Sequence, residues 1–169
     1  MTEYTDPPGM PDDERMTDAE FRVVREYLGL TGDWLASHLR VSPRTVRHWE
    51  QGKYAVPDGV RLAMEDLEAR TGQFVGGIVE QLMDMPDPVL ITYRTDAEYH
   101  AAHPEIPFPA AWHRACVARI AQEVPALAIA YADQEQIKRG DDEGGPLDDQ
   151  RQLKADQIHT TPQIRDGRR

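Results

Sequence analysis

The chain has 169 residues, of which 40% are hydrophobic and 29% are charged, and its formal net charge is −11. It contains no apolar run of the roughly 18 residues that a membrane-spanning helix needs, and its N-terminus lacks the basic-then-apolar pattern of a signal peptide. Its single cysteine, Cys116, excludes an internal disulfide and a metal site made of cysteines alone. We therefore expect a soluble, cytoplasmic protein that does not associate with membranes.

The charge is distributed unevenly along the chain. Residues 1–15 are acidic and show no apolar periodicity, so we predict a disordered acidic arm. Residues 134–169 contain acidic clusters and end in arginines, and we predict a disordered tail there. Between residues 38 and 53 the balance is reversed, because Glu50 is outnumbered by four cations: Arg40, Arg44, Arg47 and Lys53. A local basic patch on an acidic chain is typical of a phosphate-binding surface.

Helix-start signals are dense in residues 16–72. Thr17 followed by Glu20 is a capping-box pattern, in which each side chain accepts a hydrogen bond from the other residue's backbone. Three more helices are predicted to begin at further signals: the N-cap residues Thr31 and Ser42, and the proline–aspartate pair at residues 57–58. Pro43 occupies the first position of the third helix, where its missing N–H costs nothing. We therefore predict a four-helix domain over residues 16–72.

Residues 31–52 have the layout of a helix-turn-helix. Two short helices are joined by a tight connection, and Ala36 supplies a small residue where they cross. In this motif the second helix enters the major groove of DNA. Since Val46 and Trp49 mark its inward face, the outward residues are the predicted base contacts: Pro43, Arg44, Arg47 and His48.

The arginines are the leading candidates for reading sequence. An arginine pairs with O6 and N7 of guanine through two hydrogen bonds, worth roughly 1–3 kcal/mol of discrimination. Two arginines on an isolated helix would be ordinary solvated residues, but the cap, the turn and the local charge together favour DNA contact. Predicted phosphate contacts are the backbone N–H groups of Thr31 and Gly32 and the side chains of Arg40, Ser42, Gln51 and Lys53. Arg25 and Glu50 have opposite charge, and we interpret them as a structural ion pair between the first and third helices.

The string Trp49-Glu50-x-Gly52-x-x-x-Val56-Pro57-Asp58, after a Val41-Ser42 turn, resembles the lambda-repressor-like (XRE) helix-turn-helix class. It is most similar to the YdiL-like branch, which includes the anti-CRISPR-associated autorepressors. The similarity extends over about residues 16–133, through Tyr93, Asp96-x-x-Tyr99, Pro104 and Trp112.

This resemblance implies a homodimer that binds an inverted repeat of double-stranded DNA upstream of its own operon. It places the recognition-helix contacts on Arg44, Arg47 and His48, and an ion pair between helices on Arg25 and Glu50. Pro43 departs from the polar residue that is common in the family at that position. The resemblance therefore implies a sequence-specific transcriptional repressor, with autorepression as its mode of control.

The second half is predicted to be a small α+β unit, which makes the whole chain α+β but mainly α. Residues 73–85 have a wide apolar face and are predicted to form a connecting helix. Residues 86–133 then show a strand, two helices and a second strand, a β-α-α-β unit. Since about 45 residues bury little surface alone, we predict dimerisation through its apolar face. The predicted interface residues are Leu90, Tyr93, Trp112, Ile129 and Tyr131.

The sequence of the second half is also compatible with other functions. Zinc is one hypothesis, because His113-x-x-Cys116 places two ligands on one helix face, with His100 and His103 nearby. Structural zinc usually takes several cysteines, and no orienting acid accompanies a Cys-His nucleophile, so we predict no metal, no cofactor and no enzymatic activity. An antitoxin that masks a cognate toxin is the main alternative to a repressor, and binding to the protein's own mRNA stays open.

Overall fold

The computed structural model describes residue 11 and residues 14–133. Over these residues it has six helices and two strands: α1 (Asp18–Tyr27), α2 (Gly32–Leu39), α3 (Pro43–Glu50), α4 (Asp58–Leu82), β1 (Val89–Thr92), α5 (Asp96–Ala102), α6 (Ala110–Glu123) and β2 (Ala128–Tyr131). The predicted α+β, mainly α, fold is confirmed. The predicted acidic arm and tail lie outside the described residues, apart from residues 11, 14 and 15. None of the described helices is both long enough and apolar enough to cross a membrane.

The first three helices begin at the predicted caps. The Thr17 hydroxyl accepts from the Glu20 amide at 3.1 Å, and the Glu20 carboxylate accepts from the Thr17 amide at 2.8 Å, which completes the capping box. Thr31 and Ser42 each accept from the backbone N–H three residues later at 3.1 Å. Arg40, in the left-handed region with φ 56°, ends α2 and turns the chain into α3. Local chemistry therefore sets the boundaries of the helix-turn-helix.

The core of the N-terminal bundle joins α1, α2 and α3. Phe21 and Trp49 pack edge to face, with ring centroids 5.7 Å apart. Ala36 is buried where α2 meets α3, as predicted, and its carbonyl accepts from the Val41 amide at 2.9 Å. A larger side chain at Ala36 would hold the two helices apart, so this contact fixes the angle at which α3 is presented.

Helix α4 is longer than we predicted. We assigned residues 73–85 to a separate connecting helix, but one continuous helix runs from Asp58 to Leu82 and crosses the proposed boundary at residue 72. Its N-terminal part packs against α1 and buries Met64, and its C-terminal part packs against α6 and buries Ile78 and Leu82. Most of the wide apolar face of residues 73–85 is therefore covered within the same chain, although Met83 remains 48% exposed.

The second half has the predicted β-α-α-β order. Strands β1 and β2 are parallel, with Val89 paired to Ala128 and Thr92 to Tyr131. Parallel neighbours need a long crossover connection, and α5 and α6 provide it. Within the described residues, β1 and β2 form a single two-stranded sheet, and α6 packs between this sheet and α4.

The two halves share one hydrophobic core. The Trp34 ring on α2 stacks on Phe108 at 5.5 Å, and Phe108 stacks on Trp112 of α6 at 4.2 Å. Two indole hydrogen bonds support this stack: Trp34 donates to the Pro107 carbonyl at 3.3 Å, and Trp112 donates to the Thr71 hydroxyl at 3.0 Å. The helix-turn-helix is thereby attached to the second half through aromatic packing.

This packing changes the interpretation of the predicted dimer interface. Leu90, Tyr93 and Trp112 are buried in the core of their own chain, so they are not available to a second copy in this conformation. Tyr131 is half-buried and lies under the Arg94 guanidinium, whereas Ile129 is 49% exposed. Periodicity identified these side chains as apolar, but it did not show that α4 and α6 of the same chain cover most of them.

Candidate DNA interface

Helix α3 presents one buried face and one exposed face. Val46 and Trp49 are buried against α1 and α2, which directs the opposite side of the helix outward. Arg44 and Arg47, three residues apart and therefore on one side of the helix, are exposed, and so is Pro43 at its N-terminus. The predicted base-contact residues therefore lie together on one accessible surface.

The one acidic residue of the basic segment faces away from this surface. The Glu50 carboxylate accepts from Arg25 Nε at 2.5 Å, and both side chains are largely buried. Arg25 also donates to the Leu30 carbonyl at 2.8 Å, which ties α1 to the turn before α2. The predicted ion pair is present, and it neutralises the charge that would otherwise oppose Arg44 and Arg47.

His48 is half-buried at the C-terminal end of the exposed face. Its desolvation, together with the charges of Lys53, Arg44 and Arg47, lowers the pKa of the imidazole below its usual value. These effects favour the neutral form of the ring, in which one nitrogen donates and the other accepts. A neutral imidazole can therefore donate a hydrogen bond to a base edge or accept one from it, according to the orientation of the ring.

The predicted phosphate contacts surround this face. The side chains of Arg40, Gln51 and Lys53 are exposed at the two ends of α3. Gly32 is the first residue of α2, so its N–H is one of those that a helix leaves without an internal partner. The Thr31 and Ser42 hydroxyls already cap their own helices, and Ser42 Oγ also lies 2.8 Å from Thr45 Oγ1. These hydroxyls shape the site mainly by setting where each helix begins.

Tyr54 was missed by the sequence analysis. Gly52, with φ +64°, reverses the chain after α3, and the Lys53 amide then donates to the His48 carbonyl at 2.9 Å. This turn brings the Tyr54 ring edge-on to His48, with centroids 5.0 Å apart, and leaves Tyr54 60% exposed. The available signal was an aromatic residue in a short loop directly after the recognition helix.

A second group of polar side chains lies in the C-terminal half, away from α3. His113 Nδ1 is 3.1 Å from the Thr92 hydroxyl, His103 Nε2 is 3.0 Å from the Tyr93 hydroxyl, and His100 Nε2 is 2.9 Å from the Phe108 carbonyl. Cys116 is fully buried, and burial raises the pKa of its thiol to about 12. Within the part of the chain that the structure describes, no three His, Cys, Asp or Glu residues converge as metal ligands. The histidines instead hold β1, α5 and α6 together.

Comparison with known proteins agrees with this geometry. A family model described as a helix-turn-helix domain matches residues 19–69, which contain α1 to α3 and the first half of α4. The chain is also 34% identical over 113 residues to the Aca2 repressor of Pectobacterium phage ZF40, an alignment that covers 66% of this chain and 91% of that protein. The resemblance inferred from the Trp49-to-Asp58 motif is confirmed. The chain therefore belongs to the lambda-repressor-like (XRE) helix-turn-helix family and is a DNA-binding transcriptional regulator.

Proposed function

We propose that this regulator is an autorepressor that binds an inverted-repeat operator as a homodimer and blocks transcription by occupying it. The exposed basic face of α3 is the observation that carries the proposal, because it places Arg44, Arg47 and His48 on one accessible surface. The similarity to a phage repressor supports the direction of regulation. Occupancy needs no chemical step, so we propose that the protein has no catalytic activity of its own.

In the proposed complex, α3 lies in the major groove. Arg44 and Arg47 pair with guanine, and Pro43, at the N-terminus of α3, makes an apolar contact such as that with a thymine methyl group. Arg40 and Lys53 neutralise phosphates on either side, which gives an affinity that falls with salt concentration. The net charge of the whole chain is −11, and this acidic balance opposes non-specific binding to DNA.

The homodimer is proposed on symmetry and on the exposed edge of the sheet. One helix-turn-helix reads a single half-site, whereas two copies related by a two-fold axis read an inverted repeat. Ile129 on β2 is the exposed apolar residue of the predicted interface, and the half-buried Tyr131 lies two residues further along the strand. We propose that these two residues contribute to the contact between copies.

The readout is tested with duplexes that the wild-type protein selects from a random-sequence pool. Arg44→Ala and Arg47→Ala should each weaken binding to the selected duplex by roughly 5- to 150-fold, the equivalent of about 1–3 kcal/mol per bidentate contact. Arg22→Ala removes an arginine that is exposed on α1 and serves as the matched control. Unchanged affinity in both α3 variants, with a wild-type fold by circular dichroism, would refute the assigned surface.

The dimer is tested separately by sedimentation. Ile129→Asp places a charge on the proposed contact and should shift the protein towards monomer and reduce its affinity for a full inverted repeat. Gln122→Asp adds a charge on the exposed part of α6, outside the proposed contact, and is the matched control. A wild-type protein that sediments as a monomer at every concentration would contradict the homodimer.

A further inference from the structure

Tyr54 is an aromatic residue with little role in the core of the protein. Its side chain is 60% exposed, so its contribution to burial is small. It lies between α3 and α4, directly after the turn at Gly52. Its ring contacts that of His48, at 5.0 Å between ring centroids and 75° between ring planes. An edge-to-face pair of this kind is one of the two preferred arrangements of aromatic rings.

The orientation of His48 matters for recognition. A neutral imidazole offers a donor from one nitrogen and an acceptor from the other, so rotation of the ring exchanges what it presents to a base edge. On the surface of a helix, an unsupported imidazole would sample several rotamers. Tyr54 occupies one side of the ring, and the turn that holds Tyr54 is itself bonded to His48 through the Lys53 amide at 2.9 Å.

We propose that Tyr54 is a positioning residue for His48, and that it sets the preference of the operator at the base pair that His48 reads. This inference rests on the proposed function, because it requires α3 to lie in the major groove. It assigns Tyr54 to the specificity of the site, which makes it distinct from the neighbouring Lys53, a candidate for phosphate contact alone.

The test begins by finding the base pair that depends on His48. Dissociation constants are measured for the duplex selected by the wild-type protein and for a set in which each base pair is replaced in turn. His48→Ala should abolish discrimination at one base pair of each half-site. Tyr54→Ala should reduce discrimination at that same base pair by about two- to tenfold, the range expected for loss of an aromatic pair. Discrimination at base pairs assigned to Arg44 and Arg47 should be unchanged.

Two variants separate positioning from other roles of the ring. Tyr54→Phe keeps the edge-to-face contact and should retain wild-type discrimination. Tyr27→Ala removes a tyrosine of similar exposure (52%) that stacks on Arg119 instead, and it should leave the preference at the His48 base pair unchanged. In the free protein, Tyr54→Ala should also shift the NMR signals of the His48 ring protons, since the ring current of Tyr54 is lost.

Several results would overturn the proposal. One is full discrimination in Tyr54→Ala, and another is an equal loss of affinity for all duplexes in that variant. The others are an equal loss of discrimination in Tyr54→Phe and Tyr54→Ala, and the finding that no base pair depends on His48. Each of these leaves a wild-type protein that still selects a sequence, so the proposed function would survive. A wild-type protein that enriches no sequence from the pool would refute the proposed function itself.

Discussion

Arg25 and Glu50 show how a charged pair serves the geometry of the site. The pair is largely buried, with both side chains less than 15% exposed, and Arg25 holds the carbonyl of Leu30 with a second nitrogen. Glu50 is the last residue of α3, so this contact ties the end of the recognition helix to α1. A salt bridge in this position specifies an orientation more than it adds stability, because burying two charges is costly.

Removing one partner of the pair should lower the free energy of unfolding, because the other charge stays partly buried. Glu50→Ala removes the buried carboxylate from Arg25 and leaves it only the exposed Glu26 at 3.5 Å, so we expect the free energy of unfolding to fall by about 3 kcal/mol. Asp66→Ala removes a carboxylate from the exposed Arg70–Asp66 pair, which does not involve Arg25, and is expected to change the free energy of unfolding little. Urea unfolding of the two variants provides the comparison, and equal stabilities would mean that the buried pair has no structural role.

His113 makes the stability of the protein depend on pH. It is buried against the rings of Tyr99 and Phe74, and this burial lowers its pKa to about 4, with His103 and Arg114 acting in the same direction. In the unfolded chain the pKa of a histidine is about 6.5. Between these two values the unfolded chain binds more protons than the folded one, so the free energy of unfolding decreases as the pH falls from 6.5 towards 4.

The size of this effect can be measured directly. The contribution of His113 to the loss of stability at pH 5, relative to pH 7.5, is expected to be about 2 kcal/mol. In His113→Asn, which retains a polar atom near Thr92, this contribution should disappear even if the variant is less stable at both pH values. Parallel pH profiles of unfolding for wild type and variant would exclude His113 as the source.

At the scale of elements, the turn between α1 and α2 packs tightly on α6 in the second half. Gly29 has φ +67°, and a Cβ atom there would lie 2.6 Å from the Ala111 carbonyl oxygen and 3.0 Å from Ala115 Cβ. Glycine is therefore required twice, once for the backbone conformation and once for the contact with α6. Gly52 has a similar φ, but a Cβ there would meet the Asp18 carboxylate, which can move.

These two glycines form a matched pair for testing that contact. Gly52→Ala should lower the free energy of unfolding by about 1–2 kcal/mol through backbone strain alone. Gly29→Ala should lower it by that amount and by about 1–3 kcal/mol more, because the backbone of α6 has to shift. Denaturant midpoints measure both variants, and a similar loss in the two would indicate that α6 is not held against this turn.

At the scale of the whole molecule, the shared core predicts a single cooperative unit. The stack of Trp34, Phe108 and Trp112 and the continuous helix α4 join the helix-turn-helix to the β-α-α-β unit. Removing the residues after 85 would uncover Trp34 and Phe74, so a fragment ending there is expected to be poorly folded. The orientation of α3 relative to any second copy is accordingly set by the folded chain as one body.

This cooperativity is tested by unfolding the full chain. Hydrogen exchange of the slowest amides in α3 and in α6 should report the same free energy of opening, since neither half loses its core alone. Tryptophan fluorescence and far-UV circular dichroism should follow one coincident transition in urea. Distinct opening energies for α3 and α6 would show that the halves are independent domains.

Much of this protein follows from its sequence because the decisive signals are short-range. Thr17, Thr31 and Ser42 bond to residues three positions away, so the starts of α1, α2 and α3 could be predicted without knowing the fold. Once α3 is a helix with Val46 and Trp49 inward, the outward position of Arg44 and Arg47 follows from its period.

The tertiary structure decided what each apolar face packs against. Periodicity shows that Leu90, Tyr93 and Trp112 are apolar positions, but a second copy and another helix of the same chain satisfy that pattern equally well. The structure shows α4 and α6 as the partners, and the rings of Phe74 on α4 and Trp112 on α6 lie 4.9 Å apart. Caps and turns involve residues only a few positions apart, so the local sequence predicts them. Contacts between distant segments depend on the path of the whole chain.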